Sequence, residues 1–181
     1  MMKIKKAPLI LAALMMLSGC RNSKPEKTVE IHNTVQTTTS ETSAEELEKY
    51  IITCAELAYK TIHEFEDKLP TTMEVTNETM ISDVMNYDME IADDYSVYMQ
   101  MMSIDLFELT VIRASEDNLS EVKQMLEDRR TYLREQAAYY PSQVAAADAA
   151  VVGEVSGVCY LICAENAADM EKSLMYYILR N

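Results

Sequence analysis

The clearest strand pattern in this chain is the segment 106–113, which reads LFELTVIR. Side chains that alternate along a strand point to opposite faces of a sheet, so an apolar set that alternates with a second set predicts a half-buried strand. The preceding segment 95–102 is a second strand candidate, and residues 103–105 would join the two as a hairpin. The apolar set is Phe107, Leu109 and Val111, and it alternates with Glu108, Thr110 and Ile112.

A long helix and a second pair of strands follow this hairpin. Asn118 would cap the helix, with Glu121 three residues later, and Pro141 would end it. Arg129 lies on the apolar stripe of this helix, and we expect its alkyl stem to lie along the stripe while its charge stays in water. The remaining predicted elements are an alanine-rich turn at 142–149, strands at 150–154 and 158–164 around a turn at 155–157, and a last helix from Ala167 to about Leu179 that Asn166 caps.

The segments before the hairpin complete one domain, for which we predict residues 44–181. The sequence SAEE at 43–46 is a capping-box pattern, which predicts a first helix that begins after Ser43 and ends near Leu69. A short helix could follow at 76–85, and residues 86–94 are acidic and irregular. The order is helix, two strands, helix, two strands, helix. Because short turns favour antiparallel pairing, we predict an α+β fold with a four-stranded, mostly antiparallel sheet covered on one face by helices.

The start of the chain carries a targeting signal. Three lysines precede an apolar run at 7–17, which would be roughly 16 Å long as a helix, against roughly 30 Å needed to span a bilayer. The run leads into Leu17-Ser18-Gly19-Cys20, which resembles the bacterial lipobox. This resemblance implies that a signal peptide, residues 1–19, is cut between Gly19 and Cys20, and that Cys20 carries a diacylglyceryl anchor. An ordinary secretory signal with an incidental cysteine is the alternative.

Residues 20–43 would form a tether, and the mature protein would be strongly acidic. The segment is rich in threonine and serine and has too few large apolar side chains to fold. The formal net charge is −14, and it becomes −17 once the three lysines of the signal peptide are removed. Such a surface repels nucleic acid and anionic lipid headgroups. We therefore expect the lipid to hold the protein at the extracytoplasmic face of the cell membrane, with no nucleic-acid partner.

A longer resemblance runs from about Tyr98 to Met175. Its segments are MQMM at 99–102, LTVIRA at 109–114, SEVK at 120–123, LEDR at 126–129, YPSQ at 140–143, VV at 151–152 and CYLIC at 159–163. These segments resemble the bacterial family catalogued as domain of unknown function 4358, whose members are mostly small lipoproteins of Gram-positive bacteria. The resemblance implies an envelope location and a layout of lipobox, tether and domain, and it brings no known activity, catalytic residue or cofactor.

Three cysteines remain besides Cys20. Cys159 and Cys163 would share one face of the last strand at a separation of roughly 13 Å, which is too far for a disulfide between them. A bridge from Cys54 to either one is geometrically possible and would leave one thiol unpaired. The alternative is that all three are small buried hydrophobes. A metal site built on Cys159 and Cys163 would lack the close ligand spacing of zinc motifs.

Catalytic motifs are absent from the sequence. It has no nucleophile elbow, no HExxH zinc motif and, with three glycines, no phosphate-binding loop. Its acid pairs could serve as a general acid and base, and its methionines could bind Cu(I), but solvated acids and core methionines explain the same residues. His63 is expected at the surface. The pairs in question are Asp93 with Asp94, Asp88 with Glu90, and Met99 with Met101.

We therefore expect a non-catalytic binding or accessory module of the envelope, without a metal or cofactor. The alternatives are a carboxylate-based envelope enzyme and a soft-metal binding protein. A cleft that gathers three or more carboxylates and tyrosines would favour the enzyme, and sulfurs of Met99, Met101 and a cysteine that converge on one point would favour the metal protein. A compact domain with an exposed apolar patch would favour the binding module. The partner and the role of segment 86–94 stay open at this point.

Overall fold

A computed structural model of the protein describes residues 51–181. The chain divides into two units, Met1–Glu45 and Glu46–Asn181, and the described residues belong to the second. Its strands are β1 (Thr72–Glu74), β2 (Asp94–Gln100), β3 (Glu108–Arg113), β4 (Val151–Val155) and β5 (Val158–Cys163). Its α-helices are α1 (Cys54–Glu64), α2 (Leu119–Tyr132), α3 (Pro141–Asp148) and α4 (Ala167–Leu179). Short 3₁₀ turns lie at Glu66–Lys68 and Met89–Ile91, and π-helical turns lie at Met80–Val84 and Leu133–Ala137.

The five strands form one antiparallel sheet in the order β1-β2-β3-β5-β4. The predicted α+β class is confirmed, with five strands where four were expected. The additional strand, β1, pairs with β2 at the edge of the sheet, from Thr72 opposite Gln100 to Glu74 opposite Tyr98. Three mostly exposed residues are too few to show an alternating pattern, so β1 has no signal in the sequence.

Helices cover both faces of this sheet, whereas one covered face was expected. On the first face, Leu109 and Val111 of β3 pack with residues of α1 and α4. On the second face, Ile112 of β3 packs with residues of α2 and of the turn at Met80–Val84. Every residue of β3 from Glu108 to Ile112 is buried, so the prediction of a half-buried strand is wrong. The burial of Glu108 is possible because the second face supplies it with polar partners.

The first helix begins later than the sequence predicted. Residues 43–50 lie outside the described residues, but Ile51 to Thr53 are not helical, and Ile51 is 65% exposed. Thr53 forms the capping box: its hydroxyl accepts from the Glu56 amide at 3.2 Å, and the Glu56 carboxylate accepts from the Thr53 amide at 3.0 Å. Asp94 accepts a third bond, from the Cys54 amide at 2.7 Å. The prediction of helix at 51–53 is therefore wrong, because Thr53 caps the helix.

Other boundaries depend on tertiary contacts. Residues Pro141–Asp148 form a helix, α3, where a turn was predicted. The buried Gln143 accepts bonds from the Tyr139 and Tyr140 amides and donates to the Ser103 carbonyl at 2.8 Å, which fixes the start of this helix. Asn118 precedes α2 as predicted, but its side chain donates to the Ile91 carbonyl instead of capping the helix. No helix among residues 51–181 is both long and apolar enough to cross a bilayer.

Candidate functional site

A buried ion pair joins the second face of the sheet to α2. Arg129 donates from Nη2 and Nε to the Glu108 carboxylate at 2.8 and 3.1 Å. The side chain of Glu108 is 2% exposed and that of Arg129 is 9% exposed. Removing two charges from water costs several kcal/mol per ion, so such a pair is stable only when its remaining polar atoms are also bonded.

Tyr87 and Thr110 complete the bonding of the Glu108 carboxylate. The Tyr87 hydroxyl donates to Glu108 Oε1 at 2.6 Å, and the Thr110 hydroxyl lies 3.4 Å from the same oxygen. The Arg129 guanidinium lies 5.9 Å from the ring centre of Tyr87 and 5.1 Å from that of Tyr132. Arg129, Tyr87 and Thr110 all bond the Glu108 carboxylate inside the fold, which favours a structural role for it over a catalytic one.

The same contacts change how the buried groups titrate. Burial raises the pKa of Tyr87 well above its ordinary value, and the neighbouring Glu108 carboxylate raises it further. Burial lowers the pKa of Arg129, but the Glu108 charge and its hydrogen bonds outweigh this effect and raise the pKa overall. At neutral pH the phenol is therefore neutral and the guanidinium is charged.

Sequence reasoning missed this pair. The side chain of Arg129 was expected to end in water, and the structure instead buries its charge against the sheet, so that expectation is wrong. The signal was present in two places: Glu108 interrupts an apolar strand, and Arg129 occupies an apolar helical stripe. Two opposite charges at core positions indicate a buried pair, because an isolated charge at either position would be costly.

A surface groove of about 560 Å³ lies beside this pair, between residues 84–91 and one face of α2. We call it the acidic groove. The positions that α2 contributes recur at helical spacing and include Glu121, Met125, Asp128 and Tyr132, with Arg129 among them. The opposite wall includes Val84, Met85, Ile91 and Asp88.

Three carboxylates border the acidic groove. Asp88, Glu121 and Asp128 are exposed, and none of them forms an ion pair with any residue in the described part of the chain. Asp88 accepts from the Glu90 amide at 3.0 Å, and Asp128 accepts from the Gln124 amide group at 2.9 Å. Because the charge of Arg129 is balanced by Glu108, the groove presents a negative field to its surroundings.

The cysteines are dispersed over the two faces of the sheet. Cys54 belongs to the first core, whereas Cys159 and Cys163 belong to the second, as their common strand face predicted. All three are buried and free, so the pairing of Cys54 with either partner is not formed. Burial raises the pKa of Cys54 to about 12, that of Cys159 to about 11 and that of Cys163 to about 12. These thiols are protonated at neutral pH, and a thiol must lose its proton to bind a metal.

The other candidate residues do not converge on one point. Met101 is 59% exposed beyond the end of β2, whereas Met99 packs into the second core. Asp94 accepts a hydrogen bond from the Cys54 amide at the start of α1, so its carboxylate has a structural role that differs from that of Asp93. The exposed His63 pairs with Glu66 at 2.8 Å and stacks on Tyr59. Among the described residues, no group of three or more His, Cys, Asp and Glu side chains is arranged to hold a metal ion.

The lipobox, Leu17, Ser18, Gly19 and Cys20, lies outside the described residues, as do the predicted signal peptide and tether.

Comparison with known proteins adds one match. A family model described as domain of unknown function (DUF4358) matches residues 66–164, more than half of the chain. No curated protein matches the chain, and no solved structure matches it. The matched span contains Tyr87, Glu108 and Arg129 and every residue of the acidic groove.

Proposed function

The chain belongs to this family, domain of unknown function DUF4358, and we propose that it is a lipid-anchored, non-catalytic binding module of the cell envelope. Cys20 would carry the diacylglyceryl group, and residues 20–43 would tether the domain to the outer face of the membrane. The observation that carries the anchor is the segment LSGC at 17–20, placed directly after a basic start and a short apolar run. Two acyl chains give stable membrane attachment where one chain binds reversibly.

The acidic groove supports binding as the role of the domain. It combines apolar walls with a few polar groups, as ligand sites do, and its volume of about 560 Å³ falls within their usual range. Arg129, the basic residue in its lining, already forms an ion pair with Glu108. The groove therefore has a shape and a negative charge that a partner could complement, while the charge of Arg129 stabilises the fold through Glu108.

The same groove favours a second candidate, a carboxylate-based envelope hydrolase, because it gathers three carboxylates and Tyr132. A glycosidase of that kind needs one carboxylic acid held in an apolar pocket, so that it stays protonated. Asp88, Glu121 and Asp128 are all exposed to water, which favours binding over hydrolysis. Release of soluble fragments from purified cell wall by the protein, abolished by Glu121→Gln or Asp128→Asn, would establish the hydrolase instead.

Two measurements test the proposed function. Cys20→Ala should remove lipid labelling and shift the protein from the membrane fraction, or leave it unprocessed, whereas Cys159→Ala should keep the anchor. Crosslinking of the native protein in its own membrane should then yield a specific partner. Normal lipid labelling of Cys20→Ala would refute the anchor, and crosslinking no stronger than background would refute the binding role.

A further inference from the structure

We infer that the acidic groove docks a basic amphipathic segment of a partner protein, in which lysine or arginine alternates with apolar side chains. The inference deepens the proposed function and rests on it, since it names the chemistry of the partner. Three observations support it: the apolar walls of the groove, its negative charge and the hollow beside it.

The groove leaves apolar surface in water. Val84 is 60% exposed on one wall and Tyr132 is 47% exposed on the other, while Ile91 and Met125 of the same two walls are partly buried. Exposed apolar side chains that line one groove mark a contact surface more strongly than single exposed residues do. The occupant therefore needs apolar side chains of its own.

The charge of the groove selects the sign of that occupant. Asp88, Glu121 and Asp128 have no ion-pair partner among residues 51–181, and the charge of Arg129 is neutralised by Glu108. Complementary potential steers association and excludes partners of like charge. Anionic lipids, nucleic acid and acidic peptides are thus disfavoured, and a cationic partner is favoured.

A second hollow indicates an elongated occupant. A space of about 630 Å³ adjoins the groove, shares Asn86 and Asp88 with it, and adds Glu78 and Glu90. Two adjoining hollows with acidic borders fit a chain that carries several basic side chains better than they fit one compact cation. A protein segment offers this repeat of charges and apolar anchors.

The groove is held open by contacts within the domain. Asn86 adopts a left-handed backbone conformation, with φ of 58°, which turns the chain after the helix at Met80–Val84. The Asp88 amide donates to the Met125 sulfur at 3.2 Å, and Asn118 donates to the Ile91 carbonyl at 3.0 Å. Residues 88 and 91 of the wall that residues 84–91 form are therefore tied to α2 or to the residue before it, and a preformed site loses less entropy on binding.

The test measures binding of a labelled peptide of alternating lysine and leucine to the full chain in a non-ionic detergent. The variant Asp88→Asn/Glu121→Gln/Asp128→Asn keeps side-chain shape and the Asp88 and Asp128 acceptors, and we expect its Kd to rise about tenfold or more. The control Asp67→Asn/Asp148→Asn/Glu165→Gln removes three exposed charges elsewhere. Its Kd should stay within about twofold of the wild-type value. Thermal melts should show both variants folded.

Three outcomes would overturn the inference. An equal loss of affinity in the control would mean that net charge alone attracts the peptide. Equal binding of a glutamate–leucine peptide would remove the role of charge, and displacement by spermine as efficient as by the peptide would assign the site to small cations. Failure of this inference is distinguishable from failure of the proposed function: if the groove variant keeps the partner that crosslinks in native membranes, the binding module stands and only the assignment of the groove falls.

Discussion

On the first face of the sheet, α1 and α4 cover β3 and β5 with side chains such as Leu57 and Leu174, which are fully buried and carry no charge. On the second face, α2 reaches the sheet through Arg129 and its buried partner Glu108. The first face has apolar packing throughout most of its area, and the second combines apolar packing with one closed polar network. The acidic groove lies on the second face, beside that network.

The polar network and the acidic groove therefore lie together on one face of the sheet. The family match runs from 66 to 164, which includes α2, the ion pair and the groove but leaves out both helices of the first face. The part of the chain that the family shares is therefore the sheet together with its second face. We expect the ion pair to hold α2 in the orientation that forms one wall of the groove.

The largest effect should follow from breaking the ion pair. Arg129→Ala leaves the Glu108 carboxylate buried without its cation, and we expect the free energy of unfolding to fall by about 3–5 kcal/mol. Arg130→Ala is the matched control, because Arg130 pairs with Glu127 in a half-exposed position and should cost at most about 1 kcal/mol. Urea titrations of both variants measure the difference. Similar losses in the two would show that the pair does not hold the second face.

A cavity in the first face should lower the free energy of unfolding somewhat less than the loss of Arg129 does. Leu174 is fully buried between α4 and the sheet, and Leu174→Ala should lower the free energy of unfolding by about 3 kcal/mol, through lost transfer energy and an unfilled cavity. Because no charge is involved, this loss should be the same at low and high salt. It should also leave binding at the groove unchanged when the folded fraction is taken into account. A change in affinity would show that the two faces are coupled.

Alkaline pH should act on the second face through Tyr87. The unfolded chain releases the Tyr87 proton near the ordinary pKa of 10.0, whereas the folded chain keeps it to higher pH. The folded state then binds more protons, so the free energy of unfolding falls as pH rises above about 10. Buried thiols add to this fall in every variant.

Tyr87→Phe removes one titrating group and should make that fall shallower by up to about 1.4 kcal/mol per pH unit. Tyr139→Phe, which removes a hydroxyl from a side chain that is 81% exposed, should keep the wild-type slope. Urea titrations from pH 9 to about pH 11 compare the two. An unchanged slope in Tyr87→Phe would mean that the phenol is not held neutral by its site.

The two faces also differ in how well the sequence predicts them. The first face follows from periodicity: α4 was expected from Ala167 to about Leu179 and lies there, and the apolar set of β3 packs against it as the alternation indicates. The second face depends on Glu108 and Arg129, which are 21 residues apart and meet only when α2 crosses the sheet. Periodicity places each residue on its element but does not reveal that contact.

The groove was still harder to predict. Its outer wall depends on the path of residues 84–91, which turns at Asn86 with a backbone conformation that no glycine marks. Its inner wall is one side of α2, where exposed acids are indistinguishable by sequence from an ordinary solvated surface. The sequence did show the acidity of segment 86–94 and the position of Arg129 on an apolar stripe. Local rules fail most often at strained or functional sites. The left-handed Asn86 and the charge of Arg129 on an apolar stripe both depart from such rules, and both residues line the groove.

The smallest expected change in stability belongs to the variant that best tests the role of the ion pair. The variant Tyr87→Phe/Glu108→Met/Thr110→Val/Arg129→Met removes the polar network as a whole and replaces it with apolar groups of similar size. Because no buried charge remains, the free energy of unfolding should stay within about 1 kcal/mol of the wild-type value, several kcal/mol above that of Arg129→Ala.

If the pair serves only stability, peptide binding at the groove should also persist in this variant. If it orients α2, binding should weaken while the melt stays unchanged, since methionine packs in several conformations where the bonded guanidinium holds one. We expect the second result, because Arg129 is both a residue of the groove and the point where α2 is fixed to the sheet. A variant that melts as far below wild type as Arg129→Ala would contradict the premise that the unpaired charge, and not the loss of the pair, is what destabilises the second face.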